Sequence, residues 1–309
     1  MKYLFLSLSL LLCLSVASYS QFCDCDIPAK QRTKRLKAAD KALSEATLQQ
    51  SALVKIHFPF GVPTPPADAT NESMLVQFGW ITWYDADLKS PLWVAYEFSK
   101  ADALNKKVAR VDCFRRDFRL TDPDASLCQD YKSSGHDRGH LVPANDSKRW
   151  QEMMDNSFLF SNMAPQLGLF NQRIWMRLES RVNKWAVSGD GVNVVTGAIF
   201  DADGDGKRDL DANIARIDPK KRVGLATHFY KILLHRRPNG VIDSIAFLLP
   251  HNGLIYSGNK EIPYLNSKIV SIDDIESLTG IDFYPEMPVE QRTAIESGKA
   301  ISINKWNTF

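Results

Sequence analysis

The stretch from Tyr131 to Glu179 holds the residue types that metal-assisted phosphodiester hydrolysis needs: a neutral base, a cation for phosphate and oxygen ligands for a hard metal. Asp137-Arg138-Gly139-His140 follows the flexible Ser133-Ser134-Gly135. A neutral imidazole at His140 can take a proton from water near neutral pH. On an extended strand Arg138 projects to the same side as His140, where a guanidinium can hold a phosphate oxygen bidentately. Asp137 points the other way and reads as an orienter rather than a reagent. His140 is one of six histidines, so four residues alone are a weak motif.

About thirty residues downstream comes Ser161-Asn162-Met163-Ala164-Pro165-Gln166, then Asn171, Gln172, Trp175, Leu178 and Glu179 at helical spacing. The Asn171 carbonyl oxygen suits Mg²⁺, an ion that keeps most of its waters and needs few protein ligands. Asn171 is also a good helix N-cap. On an ideal helix Glu179 lies about 80° around and roughly 12 Å along from Asn171, too far for one ion to bind both directly. Either Glu179 acts through a water on the metal, or the helix start is irregular. Trp175 and Leu178 read as core.

These residues need elements to hold them. MLVQFGWITWYDADLKSPLWVAYEFSK carries β-branched and aromatic runs around a DADLKSP turn, which predicts a hairpin of Leu75–Tyr84 and Leu92–Phe98. Further strands are expected at Gly191–Phe200, His228–His235 and Ile242–Leu249, and helices at Gln151–Asp155, Asn171–Val187 and Ile272–Thr279. Antiparallel strands mixed with helices, without βαβ regularity, indicate an α+β fold. The proline-rich HFPFGVPTPPADAT is loop.

Residues 1–20 read as a signal peptide. Lys2 supplies the positive start, Leu4–Val16 the apolar run, and Ala17, Ser18 and Ser20 the small residues before a cut at Gln21. Residues 21–50 are expected as a helical, basic extension and 51–309 as the main domain. Removal of the signal leaves Cys23, Cys25, Cys113 and Cys128. An even count in an exported chain suggests disulfides, with three pairings open. Cys113–Cys128, which closes a modest loop just before the key stretch, is preferred. The expected location is outside the cell or in the periplasm. A formal charge of +2 gives no global field for nucleic acid, so a polyanion site must be local. The basic clusters are Arg115, Arg116 and Arg119, Lys148 and Arg149, and Arg236 and Arg237.

Taken together, DRGH at 137–140, SNxxPQ at 161–166 and LFNQxxWxxLE at 169–179 resemble the sugar-non-specific DNA/RNA endonucleases, the family that includes mitochondrial endonuclease G. Weaker similarity runs through PLWVAYEF, THFYKILL, AFLLPH and IESLTGIDFYP, so the likeness covers about residues 55–285. The resemblance implies a ββα-metal finger fold with a central antiparallel sheet flanked by helices. It implies His140 as general base, Asn171 as the direct Mg²⁺ ligand, Glu179 as the carboxylate holding a water on the metal, and Arg138 on the phosphate. A further arginine before DRGH assists in the family; Arg116 is the choice, with Arg115 and Arg119 as rivals. DNA and RNA are the expected partners, with 5′-phosphate products, and self-association into a homodimer stays open.

A second metal loop is visible at Asp201, Asp203, Asp205, Gly206, Lys207 and Asp209, which follow the calcium pattern of an EF-hand except for Ala212 at its last position. Ligation there would rest on four aspartates and the Lys207 carbonyl, and the role would be structural. The later segments also look like the nuclease-like domain of nucleotide pyrophosphatase/phosphodiesterases, which has lost catalysis and carries a similar loop. The alternative function is therefore a silent calcium-binding module, although His140, Asn171 and Glu179 are all retained.

Overall fold

The computed structural model describes residues 34–66, 70–110, 112–217, 219–255, 258–300 and 302–306. The expected signal peptide, its cut, Cys23, Cys25 and residues 21–33 of the extension lie outside the described residues. The strands are β1 (Glu72–Val76), β2 (Ile81–Asp85), β3 (Ser90–Ser99), β4 (Asp137–His140), β5 (Met163–Gln166), β6 (Gly191–Ile199), β7 (His228–Arg236), β8 (Ile242–Pro250) and β9 (Ile269–Val270). Helices are α1 (Lys34–Leu48), α2 (Gln50–His57), α3 (Lys100–Leu104), α4 (Cys128–Tyr131), α5 (Gln151–Asn156), α6 (Met176–Ser188), α7 (Glu261–Asn266), α8 (Ile272–Thr279), α9 (Val289–Glu296) and α10 (Ile303–Trp306).

Seven strands form one antiparallel sheet in the order β1-β2-β3-β6-β7-β8-β9, and β4 pairs with β5 in a separate ribbon. Successive side chains of a strand point to opposite faces. Leu92, Trp93, Val94, Ala95 and Tyr96 of β3 are all buried in succession, so both faces of the sheet are covered there. The buried stripe of α6, Leu178, Val182, Trp185 and Ala186, repeats at helical period and faces this core. Trp185 lies parallel to Phe247 of β8 and meets Trp306 edge-on at 4.8 Å.

The α+β expectation holds, and the strands at β6, β7 and β8 and the helix at α8 fall where the pattern places them. Two local expectations do not. Leu75–Tyr84 is not one strand, because the chain turns between β1 and β2, with Gln77 N donating to Trp80 O at 2.9 Å. Gly79 sits in that turn, and a Cβ there would stand 2.3 Å from Met153 Cε. The helical start is also not α-helical. Phe170–Trp175 is a π segment, and α6 begins only at Met176.

The helical region at the start of the described chain continues past residue 50 to His57 and packs on the body. Leu36, Ala39, Leu43 and Ala46 of α1 are buried, Arg35 pairs with Asp155, and Asn156 Nδ2 donates to Ala39 O at 3.2 Å. Cys113 and Cys128 are joined as a disulfide, which ties the strand-like 112–116 segment to α4.

Candidate active site

Strand β4 is the DRGH segment itself. It pairs in register with β5, Asp137 opposite Gln166 and His140 opposite Met163. The SNxxPQ residues build its support rather than its chemistry. Asn162 is fully buried; its Oδ1 accepts from Val142 N at 2.9 Å and its Nδ2 donates to Val142 O at 3.0 Å and to Ser157 O at 2.9 Å. Ser161 Oγ donates to the buried Asp117 at 2.6 Å. Gly139 is needed because a Cβ would lie 2.3 Å from the buried Gln166 side chain.

His140 is half-buried, and its Nε2 is closed off and without a hydrogen-bond partner. The ring stands edge-on to Phe158 at 4.9 Å and to Phe114 at 5.8 Å. The Arg138 guanidinium lies 4.0 Å over the Phe114 ring, and that of Arg110 lies 5.4 Å from the Phe158 ring. His140 and Arg138 therefore share one side of the strand, as its periodicity requires. Desolvation, and then the Arg110 and Arg138 charges, hold the imidazole down to about 3, so the ring stays neutral.

The expected assistant Arg116 and its replacement candidate Arg110 each hold an aspartate, Asp122 and Asp112, the latter at 2.6 Å. The arginine charges that bear on His140 are those of Arg110 and Arg138. Arg110 also bears on Glu179. The rivals are structural: Arg115 is buried and donates to Asp155 O and, at 2.6 Å, to Asn156 Oδ1, and Arg119 holds Asp117 and donates to Val76 O at 2.7 Å. Arg110 stands in a segment with no motif, so nothing in the sequence marks it. The other basic clusters disperse as well, with Arg149 on Asp102, Arg236 over Phe60 and Arg237 on Asp243.

Asn171 is half-buried and lies across from β4, where its Nδ2 donates to Asp137 Oδ2 at 2.9 Å. A carboxylate only accepts, so the atom facing Asp137 is the amide nitrogen and the Asn171 carbonyl oxygen is left for another partner. Gln172 Nε2 donates to the same Asp137 oxygen at 2.9 Å. Asn171 is thus a member of the π segment and not an N-cap. The segment that carries Asn171 is thus not continuous, regular α-helix up to Glu179. Glu179 lies next to a buried set that sequence reasoning missed. Lys231 of β7 is fully buried, its Nζ 4.6 Å from the Trp175 ring, and Glu179 and Asp146 are its facing charges. Burial pushes the Glu179 and Asp146 carboxyls up and the Lys231 ammonium down. Tyr96 donates to Asp146 at 3.2 Å, and Trp175 Nε1 donates to His140 O at 3.4 Å. A lysine in the middle of an apolar strand was the available signal.

An amide oxygen donor aimed by a carboxylate suits a hard divalent ion. In the acidic loop, carboxylate oxygens of Asp201, Asp203 and Asp209 lie within 4.8 Å of one another, while Asp205 is not in that group and accepts from Lys207 N at 2.9 Å. Gly204 and Gly206 take φ of 74° and 82°, the left-handed conformation open to glycine.

A family model described as DNA/RNA non-specific endonuclease matches residues 67–290. The chain belongs to that family. It is 30% identical to human endonuclease G, mitochondrial, over 211 residues, covering 67% of this chain and 68% of that protein. It is 29% identical to mouse ectonucleotide pyrophosphatase/phosphodiesterase family member 3 over 290 residues, 87% of this chain but only 33% of the mouse protein's length. A solved chain from the EndoG/EndoGI complex superposes with a TM-score of 0.67 at 24% identity, covering 81% of this chain and 98% of that one, which supports the fold. The expectation of an exported protein is overturned here. Family relatives from human and two yeasts carry the names of mitochondrial nucleases, which points to a mitochondrial rather than an extracellular place.

Proposed function

We propose that the chain is a Mg²⁺-dependent endonuclease that hydrolyses phosphodiester bonds of DNA and RNA with little sequence preference. The nuclease unit of this reading is residues 51–309. The carrying observation is the pairing of two faces of β4: His140 and Arg138 on one, and Asp137 holding the Asn171 amide on the other. His140, neutral and flanked by two phenylalanines, takes the proton from the attacking water. Arg138 and Arg110 hold phosphate oxygens and the charge that grows on them. The Asn171 carbonyl and, across a water, the Glu179 carboxylate would hold the ion. When bound, Mg²⁺ supplies positive charge to the phosphate and to the departing 3′ oxygen, which leaves 5′-phosphate products.

Side chains that hold phosphate oxygens rather than base edges would give the weak sequence preference. Calcium at Asp201, Asp203 and Asp209 is a separate, structural part of the reading. Plasmid nicking and RNA degradation by the purified chain, with Mg²⁺ and with EDTA, test the whole. Cleavage that needs the metal and disappears in His140→Ala is expected. A chain inert on both substrates across divalent metals would leave a silent calcium-binding module instead.

A further inference from the structure

We infer that His251 is a positioning residue for Asn171, acting through the Leu167 backbone. This rests on the reading of Asn171 as the residue that holds the divalent ion. His251 follows β8, and its imidazole is half-buried. Leu167 N donates to His251 Nε2 at 2.7 Å. A ring nitrogen that accepts an N–H carries no proton, so the hydrogen is on Nδ1, which donates to Ala226 O at 2.9 Å. The His251 backbone N also donates to Thr227 O at 2.8 Å, so residue and ring are anchored to the same segment.

The other end of the Leu167 unit reaches the candidate ligand. Asn171 N donates to Leu167 O at 2.9 Å. One residue, Leu167, is therefore held by His251 at its N–H and holds Asn171 at its C=O, in the two peptides that flank its Cα. The ring is fixed further by edge-on contacts with Phe170 at 5.3 Å and Phe229 at 5.2 Å. A π segment lacks the regular ladder of an α-helix, and such irregular turns occur where a side chain must be aimed. Asn171 lies in this segment, so the direction of its amide depends on tertiary anchors. Asp137 supplies the anchor at the side chain, and His251 supplies the anchor at the backbone. Burial keeps the imidazole below its ordinary range, with His136 and His228 adding to the effect, so Nε2 stays free to accept.

The test is direct binding of Mn²⁺, a spin-active stand-in for Mg²⁺, followed by loss of the free-ion resonance. It is made on the full chain in an Asp203→Asn background, which removes the acidic loop from the count. His251→Phe keeps a ring but loses both hydrogen bonds; it should weaken Mn²⁺ on the order of tenfold and leave binding of DNA in EDTA unchanged. His251→Gln, which returns an acceptor to Leu167 N–H, should recover most of that loss. Asn171→Ala, measured beside them, separates the two ideas. If Asn171→Ala binds Mn²⁺ as the parent does, the Asn171 reading fails. If it loses Mn²⁺ while His251→Phe keeps it, the His251 inference alone is overturned. Should His251→Phe not fold, hydrogen exchange at the Leu167 amide decides. Mg²⁺ should slow that exchange in the unsubstituted protein by reciprocal coupling, and no slowing overturns the inference.

Discussion

Asn171 Nδ2 donates to Asp137 Oδ2 at 2.9 Å, so one carboxylate of the DRGH strand sets the direction of an amide 34 residues away. Removal of that acceptor frees the amide to rotate. Asp137→Ala should raise the Mg²⁺ concentration for half-maximal nicking by about 10- to 100-fold, the usual effect of deleting a group that orients a metal ligand. Activity at saturating Mg²⁺ should largely return. A Mg²⁺ titration of plasmid nicking checks this, and an unchanged midpoint would detach Asp137 from the metal.

Arg110 and Arg116 make a matched pair, since each holds an aspartate and the Arg110 charge bears on His140 and Glu179. Arg110→Ala should lower kcat/KM by about 100-fold, comparable to the loss of one donor to developing charge. Arg116→Ala, which breaks an ion pair with Asp122, should stay within about twofold, as a partly exposed pair contributes little. Steady-state kinetics on a defined duplex compare them, and equal losses would restore Arg116 to the site.

For His140 the prediction is a pH profile in the free protein. Burial and two guanidiniums hold it at about 3, against about 6.5 in the unfolded chain. The neutral form is favoured by folding, so its contribution is present above pH 6.5 and is lost as pH falls from 6.5 toward 3. Unfolding at pH 5 should take up a proton at this residue, and His140→Ala should take up one fewer. Calorimetry in buffers of different ionisation enthalpy measures the difference. Carbon-13 shifts of the His140 ring should not titrate between pH 8 and 5; a midpoint near 6.5 would refute the buried, neutral base.

Lys231 is fully buried among Glu179, Asp146 and the Trp175 ring. Lys231→Met removes the cation and leaves the carboxylates, which should cost about 3 kcal/mol of stability. Adding Glu179→Gln should recover part of the loss, because it removes one uncompensated charge, and the two effects should fail to add. Urea unfolding of both single variants and the double variant gives the coupling. Strict additivity would mean that the two groups do not share an environment.

How much of this was legible in the chain depends on range. Strand periods and cap signals are local, so β6, β7, β8 and α8 stand where their residue types put them, the last with Ser271 and Asp274 closing a capping box. His140 beside Arg138 follows from the two-residue repeat of a strand, and Asp137 facing away as an orienter follows from the same repeat. The motif residues Asn171 and Glu179 were visible for the same reason, as members of one short segment.

Contacts between distant segments were not written in any local pattern. The packing of Phe114 and Phe158 around the imidazole brings the Arg138 and Arg110 guanidiniums over those two rings, which the three arginines at 115, 116 and 119 did not signal. The turn that splits β1 from β2 and the π segment at Phe170–Trp175 depend on what the chain packs against, since propensity alone favours one strand and one regular helix. Lys231, Asp146 and His251 act only through partners that tertiary structure brings near. Residue type and spacing determined the chemistry on offer, and long-range packing decided which groups converge, because burial and partner distance are properties of the folded chain alone.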